Sequence, residues 1–210
     1  DAKKLFDLII KKISVHSNAD VLDIACGAGR HSILFSKNGF KVTGVDLSDN
    51  LLRNAKKQSN ELNLNIEFIK SDIRNLNLNK KFDVILNLFT SFGYFENDAE
   101  NFSLFEKVKF HLNPKSYFIF DYFNAQYVID NLVPYSKDEF DDISVEQFRK
   151  IEKNKVVKEI RINSSQGEKV YFESVKLYSP TLLIEELKKM DLKFLNCVEI
   201  ILGIYLRKNI

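Results

Sequence analysis

The feature that most constrains this chain is an apolar run, Val21–Ile24, that leads into the Gly-Ala-Gly turn at residues 27–29. A second apolar run, Val42–Val45, follows and ends at Asp46. This order predicts a strand–turn–helix–strand unit that binds a nucleoside. Glycines let the backbone approach a ligand closely, and a carboxylate at the tip of the second strand accepts hydrogen bonds from ribose hydroxyls.

The residues around the turn indicate which nucleoside cofactor is bound. Only Gly27 and Gly29 match the dinucleotide pattern G-x-G-x-x-G, because Ser32 stands at the third position. Asp23 lies inside the first predicted strand, where its carboxylate would repel a pyrophosphate and attract a cation. S-adenosylmethionine, which carries an ammonium and a sulfonium, is therefore favoured over NAD.

At these residues the chain resembles the class I S-adenosylmethionine-dependent methyltransferases. The resemblance is carried by the segments DIACGAGRHS (Asp23–Ser32), VTGVDLS (Val42–Ser48), KSDI (Lys70–Ile73) and FDVILNL (Phe82–Leu88). The ACGxGRHS form, together with TSFGYF (Thr90–Phe95), is similar to a bacterial subgroup of small-molecule-type methyltransferases, whose substrates are mostly undefined. The match covers about residues 20 to 125.

Composition narrows the class of partner. The 210 residues suit one domain with a small insertion, and a net charge of +2 with dispersed lysines gives no reason to expect a nucleic-acid partner. The cysteines Cys26 and Cys197 have no metal-ligand spacing, so no metal is expected, and a reducing cytoplasm suits them. The sequence has no apolar run of about 18 residues, so no membrane association is expected.

Hydrophobic periodicity predicts alternating helices and strands up to about residue 125. The predicted strands are Val21–Ala25, Lys41–Val45, Ile66–Lys70, Phe82–Leu88 and Tyr117–Asp121. The predicted helices are Leu5–Ile13, Arg30–Asn38, Ser48–Leu62 and Asp98–Leu112, with Leu51 facing inward. Such alternation predicts an α/β fold with a doubly wound, mostly parallel seven-stranded sheet, which is the Rossmann-like fold of the resembling family.

After Ala125 the pattern changes. A short helix to about Leu132 and an acidic loop at residues 138–142 precede three segments of alternating apolar and polar residues. Those segments are Ser144–Ile151, Lys155–Ile162 and Lys169–Tyr178, and they predict an antiparallel meander. A last helix to Met190 and a hairpin of Phe194–Val198 with Ile200–Leu206 complete the prediction. The cofactor domain is thus expected at 1–125 and 179–210, and an insertion at 126–178 covers the substrate side, as the resemblance implies.

The site residues follow from the turn, from Asp46 and from the resemblance. The expected cofactor-binding residues are Asp23, Ala25, Gly27, Gly29, Arg30, Asp46, Leu47, Asp72, Ile73, Asn87 and Leu88. Asp46 is expected at the ribose, Asp23 at the ammonium, and both glycines at the amino-acid half. The resemblance implies that Asp72 and Ile73 approach the adenine, whereas the carboxyl end of the fourth strand lies beside the sulfonium.

Aromatic residues cluster after the fourth and fifth strands, where an acceptor would lie. Among them the Tyr94 hydroxyl is expected to face the site, and Asp121 is expected to orient an acceptor; these two are the catalytic candidates. Transfer of a methyl group from a sulfonium needs positioning and desolvation more than acid–base chemistry. The lack of an evident catalytic dyad is therefore compatible with an enzyme.

The expected function is methyl transfer from S-adenosylmethionine to a small molecule, with S-adenosylhomocysteine as the product. Asn-Leu-Phe-Thr at residues 87–90, in place of Asn-Pro-Pro-Tyr, disfavours nucleobase amino groups and glutamine as acceptors. Three alternatives stay open: an inactive cofactor-binding module of the same fold, a macromolecule-directed methyltransferase, and a nicotinamide-dependent oxidoreductase. A monomer and a homodimer, the latter joined at the edge of the meander, are both compatible with the sequence.

Overall fold

The fold is seen in a computed structural model that describes residues 2–89, 91–190, 192–198 and 203–208. Helices and strands alternate along the first 130 residues, as the periodicity predicts. They are α1 Ala2–Lys12, β1 Asp20–Ile24, α2 Arg30–Lys37, β2 Lys41–Asp46, α3 Asp49–Glu61, β3 Glu67–Lys70, a 3-10 turn Ile73–Asn75, β4 Phe82–Asn87, α4 Asp98–His111, β5 Leu112–Asp121 and α5 Ala125–Asp130. The remaining elements are β6 Tyr135–Phe140, β7 Ile143–Glu152, β8 Lys155–Ser164, β9 Gly167–Lys176, α6 Pro180–Lys188, β10 Leu192–Val198 and β11 Gly203–Lys208.

One sheet contains seven of these strands, in the order β10-β11-β5-β4-β1-β2-β3. The five strands from β5 to β3 pair in parallel, whereas β11 runs antiparallel to both β5 and β10. The parallel part of the expected sheet is thus limited to five strands. The chain winds outward from β1 to β3 and then returns to place β4 on the other side of β1, which makes a switch point between β1 and β4.

Both faces of the parallel sheet are covered, so its central strands β1 and β4 are buried along nearly their whole length. Alternate residues of β1, β4 and β5 point to opposite faces and join two separate hydrophobic clusters. One cluster includes Phe6 and Phe35 from α1 and α2. The other includes Leu104 and Leu187 from α4 and α6. This burial fixes the carboxyl ends of the central strands in position.

The segment between α5 and α6 forms a separate four-stranded antiparallel sheet, in the order β6-β7-β8-β9. Three of its strands match the predicted meander. The prediction of an acidic loop at 138–142 was wrong in part, because Tyr135–Phe140 pairs with β7 as an edge strand. Charged residues are a usual feature of edge strands, where they discourage pairing with other chains, so their presence does not exclude a strand.

The carboxyl-terminal hairpin is present with shifted bounds. β10 pairs with β11, and β11 adds to the sheet beside β5. Residues 200–202 of the predicted hairpin lie outside the described residues. Thr90 of the TSFGYF segment also lies outside them. The division into domains at residues 125 and 179 stays a prediction.

Candidate functional site

The glycine turn lies at the switch point, directly after β1. Ala25 and Gly27 both have positive φ angles, 58° and 56°. Such a backbone is costly for alanine, and the Cys26 N–H supports it by donating to the Val45 carbonyl at 3.0 Å. A side chain at Gly27 would meet no atom within 4 Å, so its backbone borders open space. Gly27 therefore suits a ligand that lies against the main chain.

Gly29 packs closely against neighbouring elements, and its expected contact with the cofactor stays a prediction. With φ of 78°, a Cβ there would lie 2.9 Å from the Ala55 Cβ and 3.1 Å from the Phe68 ring. The lack of a side chain is therefore explained by close packing of the turn against α3 and β3. Gly29 is not among the residues that line the neighbouring cavity.

Asp46 joins the end of β2 to the glycine turn. One carboxylate oxygen accepts from the Gly27 N–H at 2.8 Å, and the other accepts from the Ser48 N–H at 2.8 Å. A carboxylate has about four acceptor positions, so both oxygens can accept further hydrogen bonds. Asp46 is thus held in place by the backbone while it faces the cavity.

The cavity beside Asp46 has a volume of about 500 Å³ and a mainly apolar lining. It is lined by Ala25, Gly27, Asp46, Leu47, Leu51, Asp72, Ile73, Ser91, Phe92, Gly93, Tyr94, Phe95 and Asn101. Seven of these are residues that the sequence predicted for the site. A pocket of this size is in the range that buries a ligand of nucleoside dimensions.

Asp23 lies deeper, inside β1, and does not line the cavity wall. Its side chain is buried and accepts a 2.6 Å hydrogen bond from the Ser32 hydroxyl. Burial, reinforced by the charge of Asp46, raises the pKa of Asp23 to about 6. No Lys, Arg or His of the described residues forms an ion pair with it. Asp23 is therefore a buried negative charge, at neutral pH, without a positive partner in the described chain.

Asn87, at the end of β4, is fully buried. β4 pairs with β1, the strand that carries Asp23. The Asn87 amide nitrogen donates to the Ile24 carbonyl at 3.2 Å and to the Ser91 carbonyl at 3.4 Å. Its amide oxygen has no hydrogen-bond partner among the described residues. An unpaired buried acceptor is costly, and a ligand group with N–H donors would satisfy it.

The Asp121 carboxylate, at the end of β5, is hydrogen-bonded to the backbone. It accepts a 2.9 Å hydrogen bond from the Phe89 N–H, and Phe89 has a positive φ of 56°. Burial raises the pKa of Asp121, and the residue does not line the cavity. The geometry favours a positioning role for Asp121, in which it holds the turn after β4, over the expected contact with an acceptor.

Asp72 lines the cavity but is also engaged in a surface network. It caps the 3-10 turn through the Arg74 N–H at 2.9 Å and pairs with the Arg74 guanidinium at 2.6 Å. Arg74 also pairs with Glu100 at 2.8 Å and lies over the Phe95 ring at 4.4 Å. These contacts hold the Asp72 pKa below its usual value and fix the Phe95 ring at the cavity wall.

Arg30, an expected cofactor-binding residue, does not line the cavity, and the ion pairs among the described residues do not include it. Its guanidinium lies 4.2 Å from the centre of the Phe89 ring. His31, beneath the same ring at 5.1 Å, is buried, and neither ring nitrogen has a partner in the described residues. Burial and the Arg30 charge lower the pKa of His31 to about 4, so it is a neutral packing residue.

Tyr94 lines the cavity and is half exposed, as a residue at the mouth of a site would be. Burial and the neighbouring Glu173 raise the pKa of its hydroxyl, which therefore stays protonated at neutral pH. The adjacent Gly93 carbonyl accepts from the Lys176 N–H at 2.9 Å. The loop after β4 is thus attached to the base of the meander.

Six of the residues that line the cavity were not among the predicted site residues, and two of these, Phe92 and Phe95, belong to the expected aromatic cluster. Leu51 was expected to face inward but is 40% exposed and lies at the cavity mouth. Asn101 is buried, and its amide binds both the N–H and the carbonyl of Phe95, at 3.0 and 2.8 Å. A lone amide on the apolar face of α4 was the available signal. Ser91 and Gly93 gave no signal beyond their position in the TSFGYF segment.

The described residues hold no cluster of three or more His, Cys, Asp or Glu side chains able to bind a metal ion. Within the same residues, every helix is too short or too polar to cross a bilayer.

Residues 21–115 match the family model for a methyltransferase domain. Among curated relatives, the dTDP-3-amino-3,4,6-trideoxy-alpha-D-glucopyranose N,N-dimethyltransferase of Streptomyces venezuelae is 29% identical over 114 residues, which are 54% of this chain and 46% of that protein. The chain spans about half the length of the curated relatives it matches.

Two solved structures share the fold over the whole chain. An S-adenosylmethionine-dependent methyltransferase from Clostridium acetobutylicum superposes with a TM-score of 0.84 and 22% identity, covering 99% of this chain and 90% of that one. The amino pentose methyltransferase CalS10 from Micromonospora echinaspora, solved with S-adenosylmethionine bound, gives a TM-score of 0.75 and 16% identity, covering 100% and 90%. At these identities the two superpositions show a shared fold, and residues 21–115 are similar to a methyltransferase domain.

Proposed function

We propose that this chain binds S-adenosylmethionine in the cavity beside Asp46 and transfers its methyl group to a small-molecule acceptor. The observation that carries the proposal is that two carboxylates lie at the switch point, one facing the cavity and the other buried. Asp46 faces the cavity with acceptor capacity to spare, and Asp23 is a buried charge with no positive partner in the described chain. A ligand with a vicinal diol and an ammonium satisfies both.

The residues fit this cofactor at three places. The diol suits Asp46, while Leu47 and Leu51 offer the apolar surface that an adenine needs. The ammonium suits Asp23 and the unpaired amide oxygen of Asn87. The bare backbone at Gly27 leaves room for the chain that joins the two halves. Gly29, Arg30, Leu88 and Asp121 support the site from outside the cavity.

When bound, the cofactor supplies a methyl group that is already activated by its sulfonium. The chain therefore has to orient the acceptor and exclude water, which contributes most of the catalytic effect in such reactions. Phe92 and Phe95 give the cavity an apolar wall, and Tyr94 presents a protonated hydroxyl at the mouth. Tyr94 acts in this proposal as a hydrogen-bonding group that orients the acceptor.

The acceptor is proposed to be a small molecule with an amino-sugar character. The support is the activity of two similar proteins, an amino-sugar N,N-dimethyltransferase and an amino pentose methyltransferase. The charges near the cavity agree with a small acceptor, since Arg74 is paired with Asp72 and Glu100, and Lys70 with Asp49. Paired cations of this kind offer little attraction to a polyanion, which disfavours a nucleic-acid substrate.

The first test is calorimetric titration with S-adenosylmethionine and S-adenosylhomocysteine. Wild-type protein should bind both, and Asp46→Ala should weaken binding by at least tenfold, which corresponds to about 1.4 kcal/mol. Asp49→Ala is the matched control, because Asp49 is an exposed carboxylate three residues away that pairs with Lys70 and does not line the cavity. It should bind like the wild type.

Failure of the folded wild type to bind either ligand would refute the proposal, and NADH would be titrated next. If the cofactor binds, formation of S-adenosylhomocysteine is measured with a panel of free and nucleotide-linked amino sugars. Turnover that is lost in Asp46→Ala supports the enzyme. Binding without turnover on any small acceptor would favour the inactive cofactor-binding module.

A further inference from the structure

The side chain of Asn101 is an amide inside a largely aromatic part of the core. It lies on α4 and is 1% exposed. The Tyr178 hydroxyl that it contacts belongs to a ring packed 5.6 Å from the Phe92 ring and 5.1 Å from the Phe102 ring, measured between ring centres. An amide in such surroundings destabilises the core unless its donors and its acceptor are paired. The Asn101 amide is paired at both ends.

The main partner of this amide is the backbone of the loop that joins β4 to α4. Phe95 lies in that loop, outside any helix or strand. Its N–H donates to the Asn101 amide oxygen at 3.0 Å, and its carbonyl accepts from the amide nitrogen at 2.8 Å. Asn101 therefore pairs with Phe95 as a peptide group of a neighbouring strand would. Removal of the amide would take away both hydrogen bonds, which are costly to lose in a part-buried loop.

Tyr178 connects the same amide to the end of the meander. The Asn101 amide nitrogen also donates to the Tyr178 hydroxyl at 3.1 Å, and that hydroxyl donates to the Asp98 carboxylate at 2.6 Å. Asp98 also pairs with the Lys176 ammonium. The Lys176 backbone N–H in turn donates to the Gly93 carbonyl at 2.9 Å. These contacts close a ring in which the loop after β4 is held at both ends.

The two ends of this loop adjoin different parts of the molecule. One end contacts the meander, whereas Phe95, at the other, lies beside Asp72. The Arg74 guanidinium shows this, because it is 4.4 Å from the centre of the Phe95 ring and pairs with Asp72 at 2.6 Å. The segment before Asp72 adjoins Asp46, whose carbonyl accepts from the Ser71 N–H at 3.0 Å. Phe95 thus forms the cavity wall at the end where the nucleoside is proposed to bind.

We propose that Asn101 is a positioning residue, which fixes the Phe95 backbone and so holds the Phe95 ring against the nucleoside half of the cofactor. The inference rests on the proposed function, since it assigns a role toward the same ligand. Arg74 holds the ring and Asn101 holds its backbone, so the wall is ordered before the ligand arrives. The ligand then binds without the free-energy cost of ordering this wall. Asn101 acts through Phe95 and not on the reacting atoms.

This role determines which part of the ligand is sensitive to Asn101. S-adenosylhomocysteine and 5′-methylthioadenosine both carry the nucleoside, but only the first carries the amino-acid half. Loss of the Asn101 amide should therefore weaken both ligands by the same factor. Asp23→Asn should weaken S-adenosylhomocysteine alone, because the proposed partner of Asp23 is the ammonium. The two ligands thus separate a change in the wall from a change at the buried carboxylate.

The proposal is tested by calorimetric titration of matched variants. Asn101→Leu removes the polar group at similar volume and should weaken both ligands by about tenfold. His111→Leu is the control, because His111 is also a buried side chain of α4 that binds a loop, accepting from the Leu78 N–H at 2.9 Å. It lies about 15 Å farther along the helix, at 1.5 Å per residue. Urea unfolding should show a loss of stability in both variants, but His111→Leu should bind both ligands like the wild type.

A milder pair of variants extends the test to the case in which Asn101→Leu does not fold. Tyr178→Phe removes only the hydroxyl between Asn101 and Asp98, and it should weaken both ligands by about two- to threefold. Tyr117→Phe is its control, because the buried Tyr117 hydroxyl accepts from the Ser14 N–H at 3.2 Å, in the other hydrophobic cluster. Tyr117→Phe should bind both ligands like the wild type.

Equal ligand affinities in Asn101→Leu and His111→Leu would overturn the proposal, and so would a loss confined to S-adenosylhomocysteine. If Asn101→Leu does not fold, equal affinities in the two tyrosine variants have the same meaning. A folded wild type that binds neither ligand would refute the proposed function and this inference together. Wild-type binding that none of the Asn101 and Tyr178 variants weakens would remove this inference alone.

Discussion

The two sheets of this protein bury their residues in different ways. In β4 of the parallel sheet all but one of six residues are buried, whereas every residue of β8, an interior strand of the meander, is only half-buried. Helices cover both faces of the first sheet, but the meander has no such layers among the described residues. A polar residue therefore calls for an explanation in the parallel sheet but not in the meander.

A polar group inside the parallel sheet needs a physical justification, because desolvation is costly there. Asp23 has no positive partner and the Asn87 amide oxygen has no hydrogen-bond partner among the described residues, and the proposed cofactor would supply both. A polar group in the meander needs none, since solvent reaches it. In the meander it is the exposed apolar residues, such as Phe172, that need an explanation.

The largest expected effect comes from Asp23→Asn. It should weaken S-adenosylmethionine binding by about a hundredfold, about 2.7 kcal/mol, because a charge-assisted contact to the ammonium is lost. The same change should stabilise the ligand-free protein by about 1–2 kcal/mol, since the pKa of Asp23 is raised from 3.8 to about 6 by burial. Calorimetry and urea unfolding measure the two effects.

Ser32→Ala is the control for this variant. It removes the 2.6 Å hydrogen bond to Asp23 but keeps the charge, so stability should fall while cofactor binding is largely retained. If Asp23→Asn lowered stability and left binding unchanged, the carboxylate would be structural, and the contrast between the two sheets would lose its functional meaning.

The next effect is a pH dependence of opposite sign for binding and for stability. As pH falls below about 6, Asp23 takes up a proton and cofactor affinity should drop by about tenfold per unit. Because its pKa is higher in the folded than in the unfolded state, its contribution to stability of the ligand-free protein is most favourable below pH 4 and declines as pH rises to 6. Titrations from pH 5 to 8 measure the affinity, and Asp23→Asn should abolish this dependence.

A smaller effect is expected at the junction of the two sheets. Gly93 has φ of 93°, and a Cβ there would lie 3.2 Å from the Val175 Cγ1. Gly93→Ala should lower the free energy of unfolding by about 1–2 kcal/mol and raise the acceptor KM, with little change in the Kd for the cofactor. Gly167→Ala, with φ of 107° and no neighbouring atom, should cost stability but leave the acceptor KM unchanged.

The smallest effect is expected at the exposed ion pair between Lys155 and Glu96. The two side chains are 2.6 Å apart, but that of Glu96 is 85% exposed, so water and salt screen the pair. Lys155→Ala should leave the unfolding midpoint and the acceptor KM unchanged. A clear loss of turnover in this variant would mean that the meander is held over the site by charge and not by the Gly93 backbone contact.

The fold and half of the candidate site were predictable because their signals are local. The Gly-x-Gly turn and the acidic tip of β2 are set by residues adjacent in the chain, so Gly27 and Asp46 were placed together correctly. The contact that fixes Asp121 was not predictable in the same way. The Phe89 N–H, 32 residues away in the chain, donates to its carboxylate, and nothing in the local sequence marks that contact. The acidic strand β6 was missed because its charges mask a strand pattern.

By itself, the sequence determined the alternation of helices and strands, the turn after β1, the acidic residue after β2 and the change to an antiparallel meander. These features depend on backbone preferences and on periodicity within a few residues. Only the tertiary structure decided that Leu51 opens into the cavity, that Gly29 packs against α3 and β3, and that β9 pairs with β8 alone among the described strands. Each of these depends on segments that are distant in the chain and become neighbours only when the core closes.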